Sequence, residues 1–164
     1  MRAWEAGLIA VANENDGLVG RCHLPDIGLD RFAWHHAQRS GRWEAITGKV
    51  LRSRSAPVTE AQRLRAAVLD AWPGAFFHAE SALAWLGMDG YSFAEVQLAR
   101  MRDLSNVKTH LASVHSLRAV RGHHLVDHRG LVSENALRAI WCIAARYSSP
   151  RLFEIGVAKI GAVL

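Results

Sequence analysis

The chain has 164 residues, of which 50% are hydrophobic, enough to build a packed core and too many for a disordered polyelectrolyte. Twenty Lys and Arg against fifteen Asp and Glu give a formal charge of +5 and a pI near 9.9, a balance that suits a polyanionic partner. Two cysteines, Cys22 and Cys142, stand outside any CxxC pair, which argues against a disulfide framework or a thiolate metal site, and no apolar run reaches the roughly eighteen residues of a membrane helix.

The apolar stretch from Gly7 to Ala12 lies between Trp4-Glu5 and Asn13-Glu14-Asn15-Asp16, too short and too polar at its flanks for a signal peptide, so a reduced, cytoplasmic setting is expected. Ala3 to Asn13 reads as a first helix with Trp4, Leu8 and Val11 on one stripe, stopped by Asn15-Asp16-Gly17. Leu18-Val19 follows as a short extended link. Arg21 to Ile27 is expected to form a second, short helix, and Gly28 the turn after it.

Asp30 to Ser40 forms the third helix. Its apolar stripe has two possible phases: Ala33, Trp34 and Ala37 inward, or Leu29, Phe32, Ala33 and His36 inward with Trp34 turned out. Trp43 to Ile46 and Val50 to Ser53 are β-capable runs either side of Thr47-Gly48-Lys49, a hairpin in the position of a wing. Two short helices joined through a glycine and followed by a hairpin have the spacing of a winged helix-turn-helix, expected over residues 1–56.

Residues 57–164 are expected to form a small α/β domain with a mixed sheet and C-terminal helices, making the whole chain α+β. Thr59 and Gln62 have capping-box spacing, and Leu64, Ala67, Val68 and Ala71 repeat at helical intervals up to Trp72-Pro73-Gly74. Glu80 to Leu86 forms another short helix. Ala94, Val96 and Leu98, and again Val107, Thr109 and Leu111, alternate with polar residues as strands do. Ser133 is expected to cap a helix burying Leu137, Ile140, Trp141 and Ala144, and Ser149-Pro150 to open a last one.

Between Arg31 and Arg54 six basic residues, Arg31, Arg39, Arg42, Lys49, Arg52 and Arg54, face one acid, Glu44. A helix entering the major groove needs side chains that bond base edges, and a wing needs positive charge for phosphates. Arg31, His35, Gln38 and Arg39 share the face opposite Ala33, Trp34 and Ala37 and are the candidates for reading bases. Arg is suited to guanine and Gln to adenine. Arg42, Lys49, Arg52 and Arg54, in and around the hairpin, are the candidates for phosphate contact. The bland alternative is a solvated basic face on an ordinary helical domain.

Signs of catalysis are weak. Ser81 in His78-Ala79-Glu80-Ser81-Ala82 has no GxSxG elbow, Cys142 falls in an apolar helix, glycine-rich phosphate loops are missing, and the acids after Glu95 are scattered. His124 and His128 lack the further ligands of a metal site. A non-enzymatic protein without metal or cofactor is expected.

The order of several segments resembles the AbiEi-like antitoxins of type IV toxin–antitoxin systems and their actinobacterial relatives. The resemblance runs through Gly17-Leu18-Val19, Gly28-Leu29-Asp30-Arg31, Arg39-Ser40-Gly41-Arg42-Trp43 and Gly48-Lys49-Val50-Leu51. It continues through Ala56-Pro57, Pro73-Gly74-Ala75 and His78-Ala79-Glu80-Ser81-Ala82-Leu83-Ala84-Trp85-Leu86-Gly87, about half the chain in all. It implies an N-terminal winged helix that binds double-stranded operator DNA and represses its own operon, then an α/β domain that counters a nucleotidyltransferase-like toxin. Many relatives carry a further C-terminal domain, so a shortened C-terminus is also implied. The resulting expectation is a sequence-specific transcriptional regulator of antitoxin type; the alternative is a protein-interaction module whose basic face binds an acidic partner or toxin.

Overall fold

Leu18-Val19 and Val50-Leu51 are adjacent apolar pairs, and neighbouring residues of an extended chain point to opposite faces, so both segments need cover on two sides. The computed structural model, which describes residues 3–102 and 108–146, provides it. Strands β1 (Leu18–Gly20), β2 (Trp43–Ala45) and β3 (Val50–Ser53) form an antiparallel sheet in the order β1-β3-β2. Val19 and Leu51 pack with Leu8 and Ala12 of helix α1 (Ala3–Glu14), with Trp34 and Ala37 of helix α2 (Arg31–Arg39), and with Trp43. Leu18 and Val50 pack on the other side with Ala66 and Leu69 of helix α3 (Glu60–Asp70).

Helix α3 therefore belongs to the first of two compact units, Met1–Pro73 with Val107–Leu111; the second comprises Gly74–Asn106 and Ala112–Leu164. The break at Pro73 lies one helix beyond the boundary expected at residue 56. Thr59 caps α3 by accepting the Gln62 N–H, but the Gln62 side chain donates to the Asp16 carbonyl, 2.6 Å away, rather than reaching back to the cap.

Several of the expected elements form differently. The second helix is only a 3-10 turn, Arg21–His23, followed by turns to Gly28. Pro25 has no N–H to offer the Arg21 carbonyl, which the Leu24 N–H takes instead. The alternation around Thr109 and Leu111 does not make a strand: the His110 N–H donates to the buried Asp70 carboxylate at 2.7 Å, Leu111 packs on the Leu18 cluster, and the next strand starts at Ser113. Val107 and the helix expected after Ser149 lie outside the described residues.

In the second unit, β4 (Phe76–Phe77), β5 (Gln97–Met101), β6 (Ser113–Leu117), β7 (Leu125–His128) and β8 (Leu131–Glu134) form one mixed sheet in the order β6-β5-β4-β8-β7. Helices α4 (Ala79–Trp85) and α5 (Ala136–Arg146) pack on each other. Ser133 is a strand residue, and Asn135 caps α5 by accepting the Arg138 N–H at 2.9 Å. The helix buries Ala139 and Ile140 and leaves Leu137 and Trp141 exposed, 75% and 69%.

Gly17 shows how tightly the first unit closes. Its φ of +80° suits glycine alone, and a Cβ there would stand 2.2 Å from the Ala56 Cβ. Gly17→Ala is expected to lower stability by about 2 kcal/mol or more, combining backbone strain with a steric clash. Urea unfolding of the full chain, followed by far-UV circular dichroism, measures it; an unchanged midpoint would contradict this packing.

Candidate nucleic-acid interface

Asp30 starts α2 by accepting the N–H groups of Phe32 and Ala33, both at 3.0 Å, and Ser40 ends it, with its N–H on the His36 and Ala37 carbonyls. Between these caps the sequence is RFAWHHAQR, without an acid. Ala33, Trp34 and Ala37 are buried, so the first of the two phases is the one adopted. At 3.6 residues per turn the remaining positions, Gln38, Arg31, His35, Arg39, Phe32 and His36, occupy a continuous arc of about 160°. Five of the six are exposed and Gln38 is half-buried. His35 Nδ1 lies 3.2 Å from Gln38 Oε1, which links two of the expected base-reading side chains to each other.

The basic residues beyond α2 fall into two groups. Arg42 is half-exposed and pairs through Nε with Glu5 at 3.2 Å, while Arg54 is exposed and its N–H donates to the Arg42 carbonyl at 2.9 Å. Lys49 and Arg52 are engaged within the protein. Lys49 Nζ donates to the carbonyls of Asp70 (2.9 Å) and Lys108, and Thr47 Oγ1 donates to the Asp70 carboxylate at 2.8 Å, so the hairpin tip is tied to the end of α3. Arg52 lies opposite Glu44 in the β2–β3 register, with Nε 3.2 Å from Glu44 Oε2 and a side chain only 17% exposed. The structure thus brings Arg31, His35, Gln38 and Arg39 together on one helix, leaves Arg42 and Arg54 accessible beside the hairpin, and uses Lys49 and Arg52 to hold the hairpin.

Sequence reading singled out neither Phe32 nor His36 as a member of the outward arc. The inward alternative for α2 contained both, and the missing signal was the identity of the residues that meet Trp34.

A second polar cluster, in the other unit, was also unforeseen. Glu134, fully buried at the end of β8, accepts from His78 Nδ1 (2.8 Å) and the Ala79 N–H (3.2 Å) through Oε2, and from Arg138 Nε (2.9 Å) through Oε1. Burial alone would push the Glu134 carboxyl up, but the hydrogen bond and charge of His78, with the Ala79 N–H and Arg138, outweigh it and hold the group below its ordinary value. Ala79 adopts φ +51°, a left-handed conformation costly for a residue with a Cβ, and the bond from its N–H to Glu134 helps to hold it there.

His78, Glu134 and Cys142 each offer a metal-ligating atom, all within 4.8 Å of one another. The donor set fits a divalent cation poorly. Arg138 already bonds the carboxylate oxygen that lies 3.9 Å from Cys142 Sγ, so an ion there would stand beside a fixed positive charge. Burial, reinforced by the Glu134 charge, also pushes the Cys142 thiol up, which disfavours both a thiolate ligand and a thiolate nucleophile. The cluster is a buried ion pair satisfied by its own neighbours.

A carboxyl held low in the folded state contributes stability that is fully present above its unfolded pKa, about 4.3, and is lost as pH falls through the folded value. Urea unfolding between pH 7 and pH 3 is therefore expected to show an acid loss that begins below about pH 4.3 and is reduced in Glu134→Gln. At pH 7 that substitution is expected to cost about 2–3 kcal/mol, toward the low side for a buried pair because Arg138 is partly exposed. Identical acid profiles for the two proteins would contradict this account. The chain matches no protein-family model and no curated protein.

Proposed function

We propose that this protein is a sequence-specific DNA-binding transcriptional regulator, with residues 1–56 acting as a winged helix-turn-helix and α2 as its recognition helix. The observation that carries this reading is the outward arc of α2: Arg31, His35, His36 and Arg39 exposed on a helix without acids, with its opposite side locked inward by Trp34. The element order supports it. A helix, a strand, a helical turn, a second helix and a hairpin follow one another, and the first strand pairs with the last in the order β1-β3-β2. In this reading Arg31, His35, Gln38 and Arg39 contact base edges, while Arg42 and Arg54 bond phosphates. Lys49 and Arg52 are positioning residues that set the hairpin.

The resemblance to AbiEi-like antitoxins extends the proposal to an autorepressor of a type IV toxin–antitoxin operon, acting in the cytoplasm, with the second unit as the part that meets a nucleotidyltransferase-like toxin. Such a protein works by binding rather than by catalysis. Among the described residues no helix is long and apolar enough to cross a membrane. A second reading, a module that binds a protein partner, is favoured by one observation: three of the four phosphate-contact candidates near the hairpin, Arg42, Lys49 and Arg52, are already engaged by groups of the protein itself.

A titration against the DNA upstream of its own gene, with unrelated duplex as competitor and at two salt concentrations, separates the readings. Preference for the upstream fragment at the higher salt is expected. Arg39→Ala is expected to weaken that preferred complex by about 1–3 kcal/mol. Arg54→Ala should weaken all duplexes alike and reduce the slope of log affinity against log salt by about 1. Equal affinity of the three proteins for every duplex would contradict the assignment and move the protein-partner reading to first place.

A further inference from the structure

Phe32 is the one large apolar side chain on the outward arc of α2. It is 62% exposed, its ring lies 5.4 Å from the Arg31 guanidinium carbon, and it lines a shallow concavity of about 320 Å³ with His35, His36 and Arg39. Isolated exposed apolar residues are common on protein surfaces, but this one stands among the side chains proposed to meet base edges.

A phenyl ring has no hydrogen bond to offer. Placed against the amino or carbonyl edge of a base, it would remove water from a polar group and return nothing. The major groove presents one apolar group on its base edges, the 5-methyl of thymine. Burying that methyl against the ring gains contact without leaving a donor or acceptor unpaired, and the flanking His35 and Arg39 remain free to bond the neighbouring bases.

We infer that Phe32 is a specificity-determining residue that packs on a thymine methyl in the major groove, an inference that rests on the DNA-binding reading of α2. The contact selects thymine over cytosine at one position of the site. It is insensitive to salt, because no phosphate counterion is displaced by it.

The test starts from a random duplex library selected on the full-length protein, followed by affinity measurements on the selected duplex with each thymine replaced in turn by deoxyuridine. That change removes the methyl and preserves the Watson–Crick pair. For the wild-type protein, one replacement is expected to lower affinity about fivefold while the others stay within about twofold. In Phe32→Ala, whose fold is checked by circular dichroism, the same replacement should have less than a twofold effect. Wild-type affinity insensitive to every deoxyuridine, a selected site that requires no thymine, or a deoxyuridine effect undiminished in Phe32→Ala would each overturn the inference while leaving DNA binding intact. Failure of the library to yield any bound duplex would sink the DNA-binding reading and this inference with it.

Discussion

Burial of Trp34 sets the orientation of α2, and the proposed interface follows from it. The indole is 2% exposed and packs in a cluster with Leu8, Ala12, Trp43 and Leu51, which come from α1, the start of the hairpin and the central strand. A side chain of this size contributes several kcal/mol when fully packed, more than any exposed charge on the helix. Rotating α2 by one position would expel Trp34 and bury His36 or Phe32 instead. The direction of the basic arc is therefore a consequence of the hydrophobic core, and the histidines and arginines of α2 take the positions the core leaves to solvent.

The strands of the hairpin beside α2 are anchored in the core through Trp43, Val50 and Leu51, and its tip is held by polar contacts. Asp70 binds the Thr47 hydroxyl and the His110 N–H through its carboxylate and the Lys49 ammonium through its carbonyl, which joins the hairpin tip, the end of α3 and the 108–111 segment at one point. Glu44 and Arg52 close the hairpin across the strands. These contacts use positive charge that a phosphate-binding wing would otherwise present, leaving Arg54, and Arg42 beside Glu5, as the exposed cations next to the hairpin. In the second unit Glu134 plays a comparable part, joining the residues that begin α4 to Arg138 of α5.

Local signals in the sequence were read well where the chain itself supplies the partner. The caps at Thr59 and the hairpin around Thr47-Gly48-Lys49 depend on residues a few positions apart, and they form where spacing places them. Apart from the second helix, which Pro25 cuts to a single turn, readings failed where the deciding partner is distant. Ser133 has the look of a helix cap, yet Arg129-Gly130 turns the chain into a hairpin that draws Ser133 into β8, in register with Val126 and with Phe77. Leu137 and Trp141 fit an apolar stripe on α5, but the helix meets its neighbours through the smaller face around Ala139 and Ile140. Lys49 and Arg52 could be recognised as positive charges; that Lys49 is spent on carbonyls 21 and 59 residues away could not. The His78–Glu134 pair spans 56 residues and left no local trace at all.

The central claim is that the outward face of α2 is a DNA-reading surface. The most direct measurement is nuclear magnetic resonance mapping of the full chain with the duplex from upstream of its own gene added stepwise. The account predicts that amide and side-chain shifts concentrate on Arg31, Phe32, His35, His36, Gln38 and Arg39, extend to Arg42 and Arg54, and leave the Trp34 indole and the His78–Glu134 cluster unperturbed. Shifts confined to the second unit, or shifts on α2 that any duplex produces equally and that vanish with added salt, would contradict it.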